Sequence, residues 1–256
     1  MSDRNVKDVQ DLFSDAGAEG LNQAATTILV DNLDAVALAG CSGADLDEIN
    51  TDDVTLVAAV IDASGSMAGV KKDVVAGFNT MLDTFRGSKQ ADSILLSTWS
   101  FNDKPQLHYS YTPVPLVADL TAQDYHADGG TALYDTLLYV MAGMVAYGQS
   151  LRNSGVRTRC IVVVFSDGAD NTSRSHSFQV RSVSAGLLSQ EIYTLAYAGF
   201  GGGSLQAIAN EVGFPSIITA SSTPSEIRRI FNQVSASVIR ASQTRIGTSA
   251  SSFFTI

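Results

Sequence analysis

Two short apolar runs, each closed by an aspartate in a turn, constrain this chain more than any other feature. Residues 54–61 are nearly continuous in apolar side chains and lead into Asp62-Ala63-Ser64-Gly65-Ser66-Met67. Residues 160–165 form a second such run, followed by Ser166-Asp167-Gly168-Ala169-Asp170. A strand with one wet face alternates apolar and polar residues. An unbroken run this short belongs to a strand covered on both faces, as in a parallel sheet between helices.

The segments around the two runs fit that reading. Val74, Val75, Phe78, Met81, Leu82 and Phe85 recur at helical spacing within residues 70–85, and residues 131–146 form another apolar-faced helix. Residues 93–101 and 106–111 read as two strands around the turn cluster Asn102-Asp103-Lys104-Pro105. After the second run come a helix (178–189), a strand (192–197), a short helix (205–211) and a brief strand (217–219). A closing helix spans 227–239, with Thr223 or Ser225 as N-cap and Pro224 in the first turn. Strands alternating with helices predict an α/β fold, doubly wound, with a mainly parallel sheet and helices on both faces.

Three regions follow. Residues 1–50 are an N-terminal extension, partly helical, in which Val6, Val9, Leu12 and Phe13 mark an amphipathic helix. Periodicity does not separate strand from helix over residues 27–39, and the acidic residues 42–53 read as a linker or loop. Residues 51–242 form the α/β domain. Residues 243–256 are a Ser-rich tail ending Phe253-Phe254-Thr255-Ile256, read as disordered or docked on a neighbour.

The chain has 256 residues, 45% of them hydrophobic, enough to bury a full core. Its formal net charge of −10 disfavours nucleic acid and anionic membranes as partners. Cys41 and Cys160 make neither a disulfide framework nor a zinc cluster; Cys160 reads as core, and the sequence leaves the state of Cys41 open. The opening residues Met1-Ser2-Asp3-Arg4-Asn5 lack the apolar stretch of a secretory signal. No apolar run reaches the ~18 residues that a membrane span requires. The expectation is a cytoplasmic protein.

In an open α/β sheet, ligands gather outside the carboxyl ends of the central strands. Asp62, Ser64 and Ser66 follow the first run and Asp167 follows the second. Thr131 lies between them, in Asp128-Gly129-Gly130-Thr131 at the head of a helix. These five side chains offer only oxygen, a donor set that suits Mg²⁺, with Ca²⁺ and Mn²⁺ as alternatives, and not zinc. Three loops meeting at one ion leave a coordination position for water or an incoming group.

Asp62-Ala63-Ser64-Gly65-Ser66 resembles the Asp-x-Ser-x-Ser core of the metal-ion-dependent adhesion site (MIDAS) of von Willebrand factor A (VWA) domains. Thr131 is similar to that family's threonine ligand in a Gly-Gly-Thr context, and Ser166-Asp167-Gly168 resembles its Ser/Thr-Asp-Gly motif. The motif set is complete, and the resemblance covers about residues 54–242. It implies a doubly wound sheet with one antiparallel edge strand. In the family the serines and threonine contact the metal, and the aspartates bind it directly or through water. Those roles pass to Ser64, Ser66, Thr131, Asp62 and Asp167. The resemblance also implies a partner protein whose Asp or Glu completes the metal shell. Within the family the chain is most similar to intracellular bacterial members, such as those associated with tellurite resistance and stress response. Residues 1–50 match nothing in the family.

Other residues carry weaker readings. Asp135, one helical turn after Thr131, is either a partner for the Ser64 or Ser66 hydroxyls or a solvated or capping carboxylate. Asp170 lies either near the metal loop or, the favoured reading, in solvent as a loop residue, and Asp103 reads as a turn residue. The acidic stretch from Asp45 to Asp53 fails the EF-hand pattern, because Asn50 and Leu56 stand where glycine and glutamate are required. His108, His126 and His176 are far apart in sequence, and no nucleophile elbow is present. Gly201-Gly202-Gly203 precedes a helix without a Walker lysine and reads as a flexible loop. Three functions remain: a metal-dependent binding module, a self-assembling structural protein using its terminal extensions, and a hydrolase activating water on the metal. The complete oxygen set favours the first, and no general base is evident for the third. The expectation is therefore a binding module and not an enzyme.

Overall fold

The computed structural model describes residues 4–244 and 252–254. Its centre is a six-stranded sheet of β1 (Asp53–Asp62), β2 (Ile94–Phe101), β3 (Pro105–Pro113), β4 (Arg157–Ser166), β5 (Tyr193–Phe200) and β6 (Ser216–Ala220). The spatial order is β3-β2-β1-β4-β5-β6. All neighbours are parallel except β3, which pairs antiparallel with β2 at one edge. This is the doubly wound α/β arrangement with one antiparallel edge strand that the sequence implies.

The two apolar runs are the two central strands, paired directly, with Val57 beside Ile161 and Val60 beside Val164. Successive side chains point to opposite faces, so each strand feeds two cores. Val57, Ala59 and Ile61 of β1 pack with α4 (Lys71–Arg86) and α8 (Pro224–Gln243). Leu56, Ala58 and Val60 face the other layer, built from α5 (Leu133–Asn153), α6 (Ser177–Leu188) and α7 (Leu205–Val212). On the first face the helices approach closely: a Cβ at Gly77 of α4 would lie 2.3 Å from the Phe231 ring of α8.

The N-terminal extension is helical wherever it is regular: α1 (Val6–Ala18), α2 (Gln23–Asp31) and α3 (Ala35–Ala39). Residues 27–39, ambiguous by periodicity, are settled by their caps. Asn22 Oδ1 accepts from the Ala25 amide, and Asp34 Oδ1 accepts from Val36 and Ala37, each bond 2.9 Å long. These helices lie on α5 and α6. That explains the composition of α5, of whose 21 residues 17 are buried: a helix apolar all round must be covered on all sides. Val9, Phe13, Leu21, Ala25 and Leu29 belong to the same buried cluster as the sheet. Glu19 pairs with Arg152 at 2.9 Å, and the Gly143–Gly40 contact is so close that a Cβ at Gly143 would sit 2.4 Å from the Gly40 carbonyl oxygen.

The stretch read as a linker contains one short turn, Leu46–Glu48, and its start is pinned to the edge strand. The Ala44 amide donates to the Tyr111 carbonyl at 3.1 Å, and Tyr111 there adopts φ +38° beside a register shift in β3. Both cysteines are buried thiols, and burial pushes each up to about 12. The described part of the tail corrects the sequence reading. Phe253 and Phe254 pack into this chain's own α4–α8 core, and Arg240 donates to the Phe253 carbonyl. The rest of the tail reading falls on residues outside those described. Among the described residues, no helix is long and apolar enough to cross a membrane.

Phe13 is fully buried between α1 and the core below it. Phe13→Ala is expected to cost about 3–5 kcal/mol in urea unfolding. The loss should appear within a single transition monitored at the core as well as at α1; an unchanged midpoint would show the N-terminal helices to be energetically separate from the sheet.

Candidate metal centre

The five oxygen-bearing residues lie where the chain leaves the carboxyl ends of β1 and β4 and where it enters α5. Asp62 is the last residue of β1 and is fully buried. Its Oδ1 accepts the Ser64 amide at 2.8 Å, which bends the chain sharply into the 3₁₀ turn Gly65–Val70. Its Oδ2 accepts the Ser166 hydroxyl at 2.6 Å, linking it to the end of β4. The Ser64 and Ser66 hydroxyls lie 3.0 Å apart, and Ser66 donates to Asp167 Oδ1 at 2.8 Å. A continuous polar chain thus joins Asp62, Ser64, Ser66 and Asp167.

Thr131 is brought to this cluster by backbone bonds. The Gly65 amide donates to the Gly129 carbonyl at 3.1 Å, and Asp128 donates to the Ala63 carbonyl at 3.0 Å. On the other side, the Asn171 amide donates to the Thr131 carbonyl at 3.0 Å while Asn171 Oδ1 accepts the Thr131 amide at 2.8 Å. The Gly-Gly pair is required by geometry. Gly129 adopts φ +69°, and a Cβ there would meet Asp103 Oδ2 at 2.4 Å. The Gly130 amide donates to Asp103 Oδ1 at 2.7 Å.

The electrostatics follow from burial. Burial pushes the Asp62 carboxyl above the usual carboxylate range, the neighbouring Asp167 charge adds to the rise, and the hydrogen bonds from Ser166 and Ser64 oppose it. Beneath the site the Tyr125 hydroxyl donates to the Asp62 carbonyl, and Tyr197 donates to the Gly168 carbonyl at 3.3 Å. Burial drives both phenols far above neutral pH, so they remain uncharged donors. The donor set comprises three hydroxyls and two carboxylates. Among the described residues no group of three or more His, Cys, Asp or Glu is placed to hold a metal. A cation here would therefore be a hard one that accepts neutral hydroxyl oxygens.

Asp135 is placed differently from its first reading. It does not bond to the Ser64 or Ser66 hydroxyls; its two oxygens accept the Ser175 amide at 2.9 Å and the Arg174 amide at 3.1 Å. Asp170 is more than a loop residue, since its Oδ2 accepts the Tyr134 amide at 3.0 Å in the first turn of α5. The scaffolding roles of Asn171 and Asp103 had only a faint sequence signal, namely short amide and carboxylate side chains inside loops next to ligand residues. His108 is paired with Ser100 at 2.7 Å between β3 and β2, and His176 stacks on Phe178, so neither joins the oxygen cluster.

No protein-family model matches the sequence, and no curated protein matches it. Among solved structures, the chain is similar to the pilus adhesin SpaC from Lactobacillus rhamnosus GG in its open conformation. The identity is 12%, with 75% of this chain and 30% of that one covered and a TM-score of 0.56. It is also similar to the D319A mutant of the PilB minor pilin from Streptococcus sanguinis, at 12% identity, 75% and 63% coverage and a TM-score of 0.51. The SpRpn10 VWA domain is covered over its full length by 78% of this chain, at 12% identity and a TM-score of 0.45, too distant to add to the argument. The chain thus spans less than two thirds of either pilus protein. These likenesses concern the fold alone: a doubly wound α/β domain.

The raised Asp62 pKa has a stability consequence. The folded state binds the Asp62 proton more tightly than the unfolded chain does, so stability falls as pH rises from the ordinary carboxylate pKa through the folded value. Without divalent cations, the buried Asp62 carboxyl therefore weakens the fold as pH rises above the ordinary carboxylate range. Asp62→Asn is expected to raise the urea midpoint in EDTA at pH 7 and to flatten this part of the pH dependence; a lower midpoint would contradict the burial argument.

Proposed function

We propose that this protein is a metal-dependent protein-interaction module. A divalent cation, Mg²⁺ in our reading, with Ca²⁺ and Mn²⁺ satisfied by the same oxygens, is held at a MIDAS-type site by Asp62, Ser64, Ser66, Thr131 and Asp167. The single observation that carries this reading is the polar chain from Asp62 through Ser64 and Ser66 to Asp167, with Thr131 drawn alongside by the Gly65–Gly129 bond. A buried carboxylate is costly unless something positive or several donors face it. A hard cation would provide that charge.

The five residues of this chain would orient and hold the cation. When bound, it supplies an electrophilic coordination position that an Asp or Glu of a partner protein can fill. Such a pairing turns a strongly acidic protein, net −10, into one that accepts an acidic partner only when the metal is present. We read the role as binding and not turnover: the ionisable groups nearest Asp62 are Asp167 and the two neutral tyrosines. Both phenols stay protonated at neutral pH and so do not serve as general bases there.

Calorimetric titration of EDTA-treated protein with Mg²⁺ is expected to show one saturable site, lost in Asp62→Ala and Asp167→Ala. At Mg²⁺ about 100-fold above its Kd, the wild type should gain about 2.7 kcal/mol in unfolding free energy and the variants none. A partner captured from host extract by wild type with Mg²⁺ should be absent with EDTA and with Asp62→Ala. Capture that persists with wild type and with Asp62→Ala, each in Mg²⁺ and in EDTA, would remove the metal from the interaction.

A further inference from the structure

The loop that carries Asp167 is not self-supporting. It leaves β4 at Ser166 and enters α6 at Ser177, and its anchors lie at both ends. The near half is fixed to the start of α5 by the paired Thr131–Asn171 bonds and by Asp170, which accepts both the Tyr134 amide and the Ser173 hydroxyl. The far half is fixed by Asp135. This carboxylate is only 9% exposed, and both its oxygens are taken up by the successive backbone amides of Arg174 and Ser175. Its own amide donates to Ser173 Oγ at 3.1 Å, so the loop and the first turn of α5 exchange bonds in both directions.

A third layer completes the support. The Ser175 hydroxyl, also 9% exposed, donates to Asn32 Oδ1 at 3.2 Å. Asn32 is the C-cap of α2, and its Nδ2 donates to the Ile28 carbonyl at 2.7 Å, which fixes the amide's orientation. Two residues on, Asp34 accepts the Tyr139 hydroxyl from α5 while its other oxygen caps α3. Further along α6, the helix lies so close to α2 that a Cβ at Gly186 would meet Asn22 Nδ2 at 2.7 Å.

We infer that Asp135 and Asn32 are positioning residues for the metal centre, so that the N-terminal helices, which the family resemblance leaves without a role, form part of its frame. Asp135 sets the loop against the same helix whose N-terminus presents Thr131. Asn32 ties that loop to α2 through Ser175. The inference rests on the metal-site reading for its functional meaning, but its structural content is testable without metal.

Two measurements separate the cases. The first is hydrogen exchange of the amides of residues 167–175 in EDTA-treated wild type, Asp135→Asn, Asn32→Ala and Asn32→Asp. In Asp135→Asn one of the two acceptors becomes an N–H donor facing an amide; in Asn32→Asp the acceptor for Ser175 is kept but the Nδ2 donor to the Ile28 carbonyl is lost. Exchange in this loop should rise about tenfold or more in Asp135→Asn and Asn32→Ala, with Asn32→Asp between Asn32→Ala and wild type and the β1 and β4 amides unchanged in all. Unaltered exchange in the loop, or equal acceleration throughout the sheet, would overturn the inference. The second is the Mg²⁺ dissociation constant of the same proteins. Positioning predicts a rise of about 10- to 100-fold for Asp135→Asn and Asn32→Ala, with partial rescue by Asn32→Asp, which keeps only the acceptor for Ser175. Faster loop exchange combined with unchanged Mg²⁺ affinity would also overturn it. If wild type binds no Mg²⁺, Mn²⁺ or Ca²⁺, the metal reading fails, and loop exchange alone then decides whether these residues hold the loop.

Discussion

The Asp62 carboxylate is the constraint around which the structure is arranged. It lies buried at the end of the central strand, held by the Ser64 amide and the Ser166 hydroxyl. Among the described residues it has no ion pair with a basic side chain. Two hydrogen bonds lessen the cost of burying a charge but do not remove it. The surrounding geometry follows from satisfying this group. The chain turns sharply at Ser64, β1 and β4 must be neighbours for Ser166 to reach across, and Tyr125 fills the space beneath with a hydroxyl that burial keeps protonated at neutral pH. The free energy lost there is offset by the apolar burial of β1 and β4 on both faces, among the least exposed segments of the chain.

The N-terminal helices answer a different need. A helix as apolar as α5 cannot be a surface element, and the sheet covers only one side of it. α1, α2 and α3 close the other side, with the Glu19–Arg152 pair and the Asp15–Asn153 bond at the periphery. Exposed pairs of this kind contribute little on their own. The layer is held by Phe13, Leu21, Leu29 and their neighbours in the common core.

Much of this was legible in the sequence. Central strands buried on both faces announce themselves as unbroken apolar runs, so β1 and β4 were placed closely, as was the turn between β2 and β3. Helix ends were less so: α5 runs to Asn153, beyond residue 146, because residues such as Gln149 and Arg152 look polar yet pair with Glu19 across a tertiary contact. The five oxygen-bearing residues could be named because each follows a recognisable strand or begins a helix. The roles of Asp135, Asp170, Asn171 and Asn32 could not, because each bonds backbone or side-chain atoms 36 to 143 positions away. A short polar residue in a loop looks the same whether it faces water or holds another loop in place. The docking of Phe253 and Phe254 onto their own chain has the same cause, since two aromatic residues in a tail specify burial but not against what.

The strand order distributes the site between two bodies of the molecule. The turn bearing Asp62, Ser64 and Ser66 leads into α4, on the face shared with α8. Thr131 opens α5, and the Asp167 loop leads into α6, both on the opposite face with the N-terminal helices. The oxygen cluster is thus a seam between two helical slabs that are separated everywhere else by the thickness of the sheet. A sliding of one slab over the sheet by a fraction of an ångström would be read at this seam as a change in the spacing of its oxygens. Conversely, anything that draws those oxygens together clamps one slab to the other.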